Sequence, residues 1–361
     1  MVSVELGGVL RARQRNRVLW AKLRADVVLY YIIGLYIAAA LVLGRSFHRG
    51  GVESLGMYID AWFLPAVGGT ALLLALRFFI SLACAPQKRP IAELRAIFGA
   101  ECLENLLAGL LLFYCLCLFS GAFTLVKNCL PLIRPFYFDR WIADADQRFH
   151  LGHDPWTLLR PILGGTAMRP LQFCYYYAWP FIIGLCPLLM AISNGDRGLR
   201  SQFLLTFMLA WIVLGTFTAC VFMSGGPVFY GRLTGDLHRY AAMNAYLSAH
   251  AFPVADSLWR AYQRQPGAFG TGISDFPSMH VTMVTLVTLL GWRLRPALGA
   301  ATSVFALVIV ITSVYLGWHY AVGDYVTILG TCALWWTAGV LVRSRAWREI
   351  VGAERSGSIR P

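Results

Sequence analysis

The chain has 361 residues, of which 58% are hydrophobic and only 14% are charged, and its formal net charge is +13. Soluble domains contain about 25% charged residues, so this composition excludes a water-exposed globule. Several apolar runs reach the ~20 residues that cross a bilayer as a helix, which predicts an all-α, polytopic membrane bundle. The two tails are basic but carry no nucleic-acid-binding motif, so we expect no nucleic-acid partner.

Eight apolar runs follow one another along the chain, and each predicts a transmembrane helix. The sixth run is short and needs its flanking residues to span a bilayer. An even number of spans returns the C-terminus to the side of the membrane on which the N-terminus lies. The predicted spans are 27–44, 61–85, 105–124, 171–192, 202–223, 279–292, 297–315 and 325–342.

Basic residues flank the first and the last predicted span. Segments rich in lysine and arginine stay on the cytoplasmic side of a membrane. We therefore expect both termini in the cytoplasm, and the Ala-, Arg-, Leu- and Gly-rich composition indicates a bacterial inner membrane. The flanking residues are Arg11, Arg13, Arg15, Arg17, Lys22 and Arg24 before the first span, and Arg343, Arg345, Arg348, Arg355 and Arg360 after the last.

Two long segments on the outer side, 127–170 and 225–276, exceed the usual length of connections in a compact bundle. Both are rich in aromatic residues, which predicts short interfacial helices with aromatic side chains at headgroup depth. We divide the chain into an N-terminal part with three spans, 1–126, a membrane domain, 127–342, and a basic tail, 343–361.

Three aspartates lie close together in the first long segment, at Asp139, Asp144 and Asp146. One interpretation is that they bind hydroxyl groups of a substrate headgroup. The interpretation we favour is structural: salt bridges to Arg140 or Arg148, or capping of a short helix.

Two short motifs near the C-terminus each place a histidine at the outer edge of an apolar run. Residues 276–280 are Phe-Pro-Ser-Met-His, and residues 317–324 are Gly-Trp-His-Tyr-Ala-Val-Gly-Asp. Two predicted spans separate them, so both fall on the outer face. A neutral imidazole oriented by a carboxylate can act as a nucleophile, and a second imidazole can transfer a proton near neutral pH. The pair predicts phosphoryl transfer through a phosphohistidine.

These motifs resemble the second and third signatures of the type-2 phosphatidic acid phosphatase superfamily. Two further segments, Gly-His-Asp-Pro-Trp at 152–156 and Ser-Gly-Gly-Pro-Val-Phe-Tyr at 224–230, look closest to the branch that includes the inositol phosphorylceramide synthases. The resemblance covers the chain from residue 127 to the end of the eighth span. It implies that His319 is the nucleophile, that His280 protonates the leaving group and that Ser278 binds phosphate oxygen, with no metal or other cofactor.

Two departures from the third signature are visible. Thr312 and Ser313 stand where the superfamily usually has Ser-Arg, so a phosphate-binding arginine is missing. Asp324 follows His319 by five residues instead of four. On a continuous helix this changes the angle about the helix axis between the carboxylate and the histidine from about 40° to about 140°. We expect Gly323 to mark a loop or bulge that restores the angle, so that Asp324 orients His319.

The cationic groups that bind the phosphate are less well defined by the sequence. The first signature, Lys-x6-Arg-Pro, occurs at Lys127 and Arg134, and the resemblance makes both of them phosphate-binding residues. A snorkelling lysine and a loop arginine are an equally good interpretation of this pair. Arg232 and Arg239 are alternative phosphate-binding residues.

These observations favour a membrane enzyme that acts on a phospholipid or lipid phosphate and is independent of metal. The phosphoryl or phospho-headgroup passes to a ceramide-like or diacylglycerol alcohol, or to water. One alternative is a plain phosphatase for an isoprenyl diphosphate or a phosphatidate-type lipid. Another is a non-catalytic lipid-binding or transport protein with a degenerate site.

Overall fold

The computed structural model describes residues 17–84, 99–264 and 270–352. Every regular element within these ranges is helical, so the predicted all-α membrane bundle is confirmed. The predicted basic positions 11, 13, 15, 355 and 360 lie outside the described residues. Helices in the described part that are long and apolar enough to cross a membrane are Val27–Ser46, Val52–Ser81, Ala100–Ile133, Met168–Ile192, Arg197–Val221, Pro296–Tyr315 and Ala321–Arg343.

The sixth predicted span forms a shorter apolar helix, Met279–Leu294, of 16 residues. At 1.5 Å per residue it is about 24 Å long, less than the ~30 Å of a bilayer core. Ser278 caps its start, and Arg295 ends it immediately before Pro296. Seven of the eight predicted spans are therefore long enough to cross alone, and this one lies mostly inside the bundle.

The described part of residues 17–133 contains four α-helices, two of which pack closely against each other. A short 3₁₀ turn at Val52–Gly56 and a π turn at Ile59–Phe63 precede the third helix. In chain order these helices are α1 (Arg17–Ala25), α2 (Val27–Ser46), α3 (Leu64–Cys84) and α4 (Ala100–Ile133), and the close pair is α2 with α4.

The middle of the chain alternates short helices with spans. The described residues of the two long segments form short helices after the end of α4, as the sequence predicts. A π turn, Cys174–Ala178, joins α7 to α8, and another, Ala210–Thr218, joins α9 to α10. The helices are α5 (Asp139–Phe149), α6 (Pro155–Leu163), α7 (Met168–Phe173), α8 (Trp179–Ile192), α9 (Arg197–Leu209), α10 (Ala219–Val221), α11 (Tyr230–Thr234), α12 (Ala241–His250) and α13 (Val254–Arg264).

The C-terminal part is a helical hairpin followed by a returning helix. Helix α14 (Met279–Leu294) packs along α15 (Pro296–Tyr315), and α16 (Ala321–Arg343) packs on α14 and α9. A last short helix, α17 (Arg345–Ile350), follows. This order brings the start of α14, the end of α15 and the start of α16 to one end of the bundle, where both histidine motifs lie.

Candidate active site

His319 lies in a tight turn between α15 and α16. Gly317 in this turn has φ +69°, a left-handed conformation that favours glycine, and a Cβ there would meet Met243 at 2.8 Å. The backbone N–H groups of Trp318 and His319 donate to the carbonyl of Ser313 at 2.9 and 3.3 Å. The turn therefore fixes the imidazole between two helices, outside the regular hydrogen bonding of either.

Asp275 holds the ring of His319. Nδ1 of His319 lies 2.8 Å from the Asp275 carbonyl oxygen and 3.1 Å from its Oδ1. Both oxygens are acceptors, so Nδ1 carries the proton and Nε2 keeps a lone pair in the neutral ring. Asp275 is 2% exposed, and the hydroxyl of Ser224 donates to its Oδ2 at 3.1 Å.

This contact also sets the acidity of the ring. Burial favours the neutral imidazole, but the hydrogen bond from His319 to Asp275 and the charge of that carboxylate outweigh it. The pKa of His319 therefore lies above its usual value of 6.5. The ring is oriented for attack, and its lone pair becomes available as the pH rises.

Asp324 does not form the predicted contact with His319. Its Oδ2 accepts from the Ser313 hydroxyl, and its Oδ1 is buried without a hydrogen-bond partner. The expected bulge at Gly323 is wrong as well, because α16 begins at Ala321 and passes through Gly323 as regular helix. His319 precedes that helix, so counting residues around a helix from His319 to Asp324 does not give their relative direction.

His280 is the second residue of α14, and its imidazole lies between two aromatic rings. The ring centroid of Tyr175 lies 4.0 Å away at an interplanar angle of 12°, and that of Trp179 lies 4.0 Å away at 32°. The indole N–H of Trp179 also donates to the His280 carbonyl at 2.9 Å. This stack limits rotation of the imidazole, whose centroid is 6.1 Å from that of His319.

A cavity of about 370 Å³ contains both imidazoles. Its walls are mostly aromatic and apolar, which suits lipid chains better than a soluble substrate. The N-terminal spans form part of the wall, so the cavity is not a product of the C-terminal helices alone. Wall residues from the N-terminal spans and the second outer segment include Tyr58, Trp62, Phe123, Phe229, Val254 and Leu258.

Lys127 is the predicted cationic residue that reaches this cavity. It lines the same wall as the histidines, and its stem passes Gly272, where a Cβ would lie 2.9 Å from Lys127 Cγ. Lys127 forms no salt bridge with any residue that the structure describes. Arg134, by contrast, is exposed and stacks over Tyr137 at 4.5 Å, so the structure separates the two cationic residues of the first signature.

The two alternative arginines are bound to carboxylates elsewhere. Arg232 pairs with Asp256 at 2.6 Å. Arg239 pairs with Asp144 at 2.6 Å and with Asp154 at 3.1 Å. Neither arginine lines the histidine cavity. The structure therefore does not bring these two predicted phosphate-binding residues to the histidines.

Ser278 is 1% exposed and caps α14, with its Oγ accepting from the backbone N–H of Val281 at 3.3 Å. Its own N–H donates to the hydroxyl of Thr327 at 3.0 Å. Its neighbours Met279 and His280 line the cavity whereas Ser278 does not, and its role in binding phosphate oxygen stays a prediction.

Asp139 on α5 holds the loop on one side of His319. It accepts from the backbone N–H groups of Gly225 and Gly226 at 3.0 to 3.1 Å and from the Tyr320 hydroxyl at 3.0 Å. Burial, together with the charge of Asp275, raises the pKa of Asp139 to about 6. Among the described residues Asp139 forms no salt bridge to Arg140 or Arg148, one of the two structural roles that the sequence suggested, because backbone donors and a tyrosine take that place.

Asp146 holds the other side. Asp146 accepts hydrogen bonds from the backbone N–H groups of Ala321 and Val322 at 3.0 and 2.7 Å. These N–H groups lie in the first turn of α16, where a helix offers them no carbonyl partner of its own. Burial raises the pKa of Asp146 to about 6. The sequence suggested that this aspartate caps a short helix, whereas Asp146 binds the start of the 23-residue helix α16, 175 positions along the chain.

Comparison with known proteins agrees with this geometry. The family model of the PAP2 superfamily matches residues 140–337, more than half of the chain. The chain belongs to the PAP2 superfamily. A search of curated proteins and a search of solved structures each found no match.

The PAP2 match covers both histidines, and Lys127 lies just before it. PAP2 superfamily membership supports a membrane enzyme that acts on phosphate groups of lipid-like substrates. The residue that sequence reasoning missed is Asp275. It directly precedes the motif at 276–280 that supplied His280, but the histidine it contacts belongs to the other motif, 44 residues later. No short-range spacing signals such a contact.

Proposed function

We propose that this chain is a lipid phosphotransferase that works through a phosphohistidine at His319. One observation carries the proposal: Asp275 holds Nδ1 of His319, while the ring shares a largely apolar cavity with His280. This leaves Nε2 as the ring nitrogen available to a phosphorus atom in that cavity. The arrangement matches the two functions, nucleophile and proton donor, that displacement at phosphorus needs.

In the first step Nε2 of His319 attacks phosphorus, and an N–P bond forms as the P–O bond to the lipid alcohol breaks. In the substrate complex the negative phosphate beside His280 favours its protonated form, and His280 gives that proton to the departing alkoxide. Asp275 stabilises the positive charge that develops on the His319 ring, as a triad carboxylate does. The product is a lipid alcohol, and the phospho-headgroup stays on the enzyme.

In the second step an acceptor hydroxyl gives its proton to the now neutral His280 and attacks phosphorus. The N–P bond breaks, and His319 returns to its neutral form. A ceramide-like alcohol or diacylglycerol as acceptor gives a new phospholipid, whereas water gives hydrolysis. Val254, Leu258 and Phe229 from the second outer segment add apolar wall to the cavity, and an apolar wall favours transfer by excluding water.

Lys127 supplies positive charge to the phosphate in this mechanism. We expect Lys127→Met to lower kcat/KM about 100-fold, because one preorganised charge next to the developing negative oxygens is removed. Arg134→Gln serves as the matched control and should stay within about twofold, since Arg134 is exposed and stacks on Tyr137. Steady-state kinetics on lipid vesicles measure both; equal losses would contradict the assignment.

The substrate class follows from the cavity and is part of the proposal. A phospholipid places its phosphate at the histidines and its chains along the aromatic walls. The inositolphosphotransferase-like branch is proposed on the motifs at 152–156 and 224–230. We also propose a bacterial inner membrane, a periplasmic site and cytoplasmic termini, on the charge distribution of the chain.

Acceptor dependence distinguishes transfer from hydrolysis. Purified protein is incubated with a panel of phospholipids and lipid phosphates, including an isoprenyl diphosphate, with or without ceramide or diacylglycerol, and mass spectrometry identifies the products. We expect a new phospholipid that forms only with acceptor and is absent with His319→Gln. Phosphate release without acceptor dependence would select the plain phosphatase. Lipid binding without turnover in the wild type would select the non-catalytic lipid-binding or transport protein.

A further inference from the structure

A second pocket lies at the end of the bundle opposite the histidines. Helix α16 begins beside His319 and ends at Arg343, and the pocket is built around that far end. Its volume is about 500 Å³. Helix α1, the start of α9 and the C-terminal residues enclose it, and nothing in the mechanism above uses it.

Three arginines from three separate elements line this pocket: Arg24 on α1, Arg197 on α9 and Arg348 on α17. The pocket has no acidic lining residue. Within the described ranges none of the three forms a salt bridge. Two other arginines nearby are paired, Arg200 with Asp26 and Arg345 with Glu349. The three pocket arginines are exposed and line one cavity, so an anion that binds there is attracted by all three charges.

The aromatic lining of the pocket points to the same ligand chemistry. Trp20 and Trp347 also line the pocket, and tryptophan is the residue that favours the headgroup depth of a bilayer. Phosphate charge and interfacial aromatics together describe a lipid headgroup rather than a soluble metabolite.

We propose that this basic pocket binds the phosphate group of an anionic phospholipid in the leaflet opposite the histidines. The arginines contact the phosphate oxygens, and the two tryptophans lie beside the glycerol backbone and upper chains. Basic pockets between membrane helices bind anionic headgroups by this same chemistry. The proposal is independent of the reaction at His319, since it concerns other residues at the other end of the bundle.

The test compares two triple variants of equal charge change. Arg24→Gln/Arg197→Gln/Arg348→Gln neutralises the pocket. Arg77→Gln/Arg293→Gln/Arg295→Gln neutralises three exposed arginines that lie at the same end of the bundle but do not line the pocket. Delipidated full-length protein in detergent is titrated with phosphatidylglycerol or phosphatidylcholine, and native mass spectrometry counts the bound lipid.

We expect the wild type to bind phosphatidylglycerol in preference to phosphatidylcholine. The pocket variant should lose on the order of a hundredfold in affinity, from about 1 kcal/mol for each arginine, and the control variant should stay within about threefold. Equal losses in both variants would overturn the pocket, because the effect would then come from overall charge. The same holds if neither variant changes lipid binding.

A third arm separates lipid from free anion. Inorganic phosphate is added alone, and thermal unfolding is followed. If phosphate stabilises the wild type as much as phosphatidylglycerol does, and only through the three arginines, the lipid assignment is overturned in favour of a soluble phosphate. Should the pocket variant fail to fold, Arg348→Gln on the exposed last helix gives the same comparison against Arg293→Gln, with an expected loss of about fivefold.

Discussion

Replacing His319 with glutamine should lower turnover by about 10⁵- to 10⁶-fold while leaving lipid binding within about twofold. Loss of the nucleophile from a cooperating set of residues removes nearly all of the rate that the set provides. Glutamine keeps a polar side chain of similar size beside Asp275, so the cavity should stay intact. Single-turnover kinetics with a lipid phosphate measure the loss, and an alkaline-quenched digest shows whether phosphate resides on the peptide that contains residue 319.

His238→Gln is the matched control, because His238 is exposed and lies in a loop outside the cavity. It should keep wild-type turnover and the same phosphopeptide. The mechanism is wrong if His319→Gln retains more than about 1% of wild-type turnover, or if wild-type enzyme carries its phosphate on a different residue.

Replacing Asp275 with asparagine should lower kcat by about 10³- to 10⁴-fold. The substitution removes the negative charge that stabilises the cationic ring, and an amide that donates to Nδ1 of His319 competes with the Asp275 backbone carbonyl, which favours the tautomer that can attack. Asp324→Asn should cost far less, about tenfold, because Asp324 contacts Ser313 and acts on His319 only through its charge. Steady-state kinetics of both variants test whether Asp275→Asn loses more kcat than Asp324→Asn. A larger loss in Asp324→Asn would make Asp324 the carboxylate that orients His319.

The pH profile separates this orienting role from a merely structural one. Attack requires neutral His319, so the wild-type kcat falls as the pH is lowered, and the raised pKa of His319 places this acidic limb at a higher pH than an unpaired imidazole would give. Removing the negative charge of Asp275 removes what raises that pKa, so the limb of Asp275→Asn should move to lower pH. A variant that is damaged only in structure would lose rate without moving the limb.

The sequence predicted the membrane class, the approximate position of the spans and the meeting of two histidines, since these depend on hydrophobic run length and on counting spans. It did not predict the partner of His319. Spacing rules apply inside one helix, and His319 precedes α16, so the offset to Asp324 carried no directional information. Asp275 reaches the ring through the tertiary fold.

The cationic residues show the same limit. Lys127 and Arg134 would lie two turns apart on a continuous helix, but α4 ends at Ile133. Only the lysine therefore lies on the helix that forms the cavity wall. Arg239 was predicted as a phosphate-binding residue from its charge, but its carboxylate partners come from residues 85 and 95 positions away. Charge along a sequence gives candidates, whereas packing decides which charges are already neutralised.

The hydrogen bonds of α5 have a consequence for the biogenesis of the protein. Tyr320 binds Asp139 across 181 positions of the chain. At about 5 to 20 residues per second, a ribosome needs about 10 to 40 s to add the intervening segment. Helix α5 therefore leaves the ribosome long before the turn it supports exists. An incompletely synthesised chain has no assembled His319 turn, so a stalled or truncated product is inert toward the lipids around it.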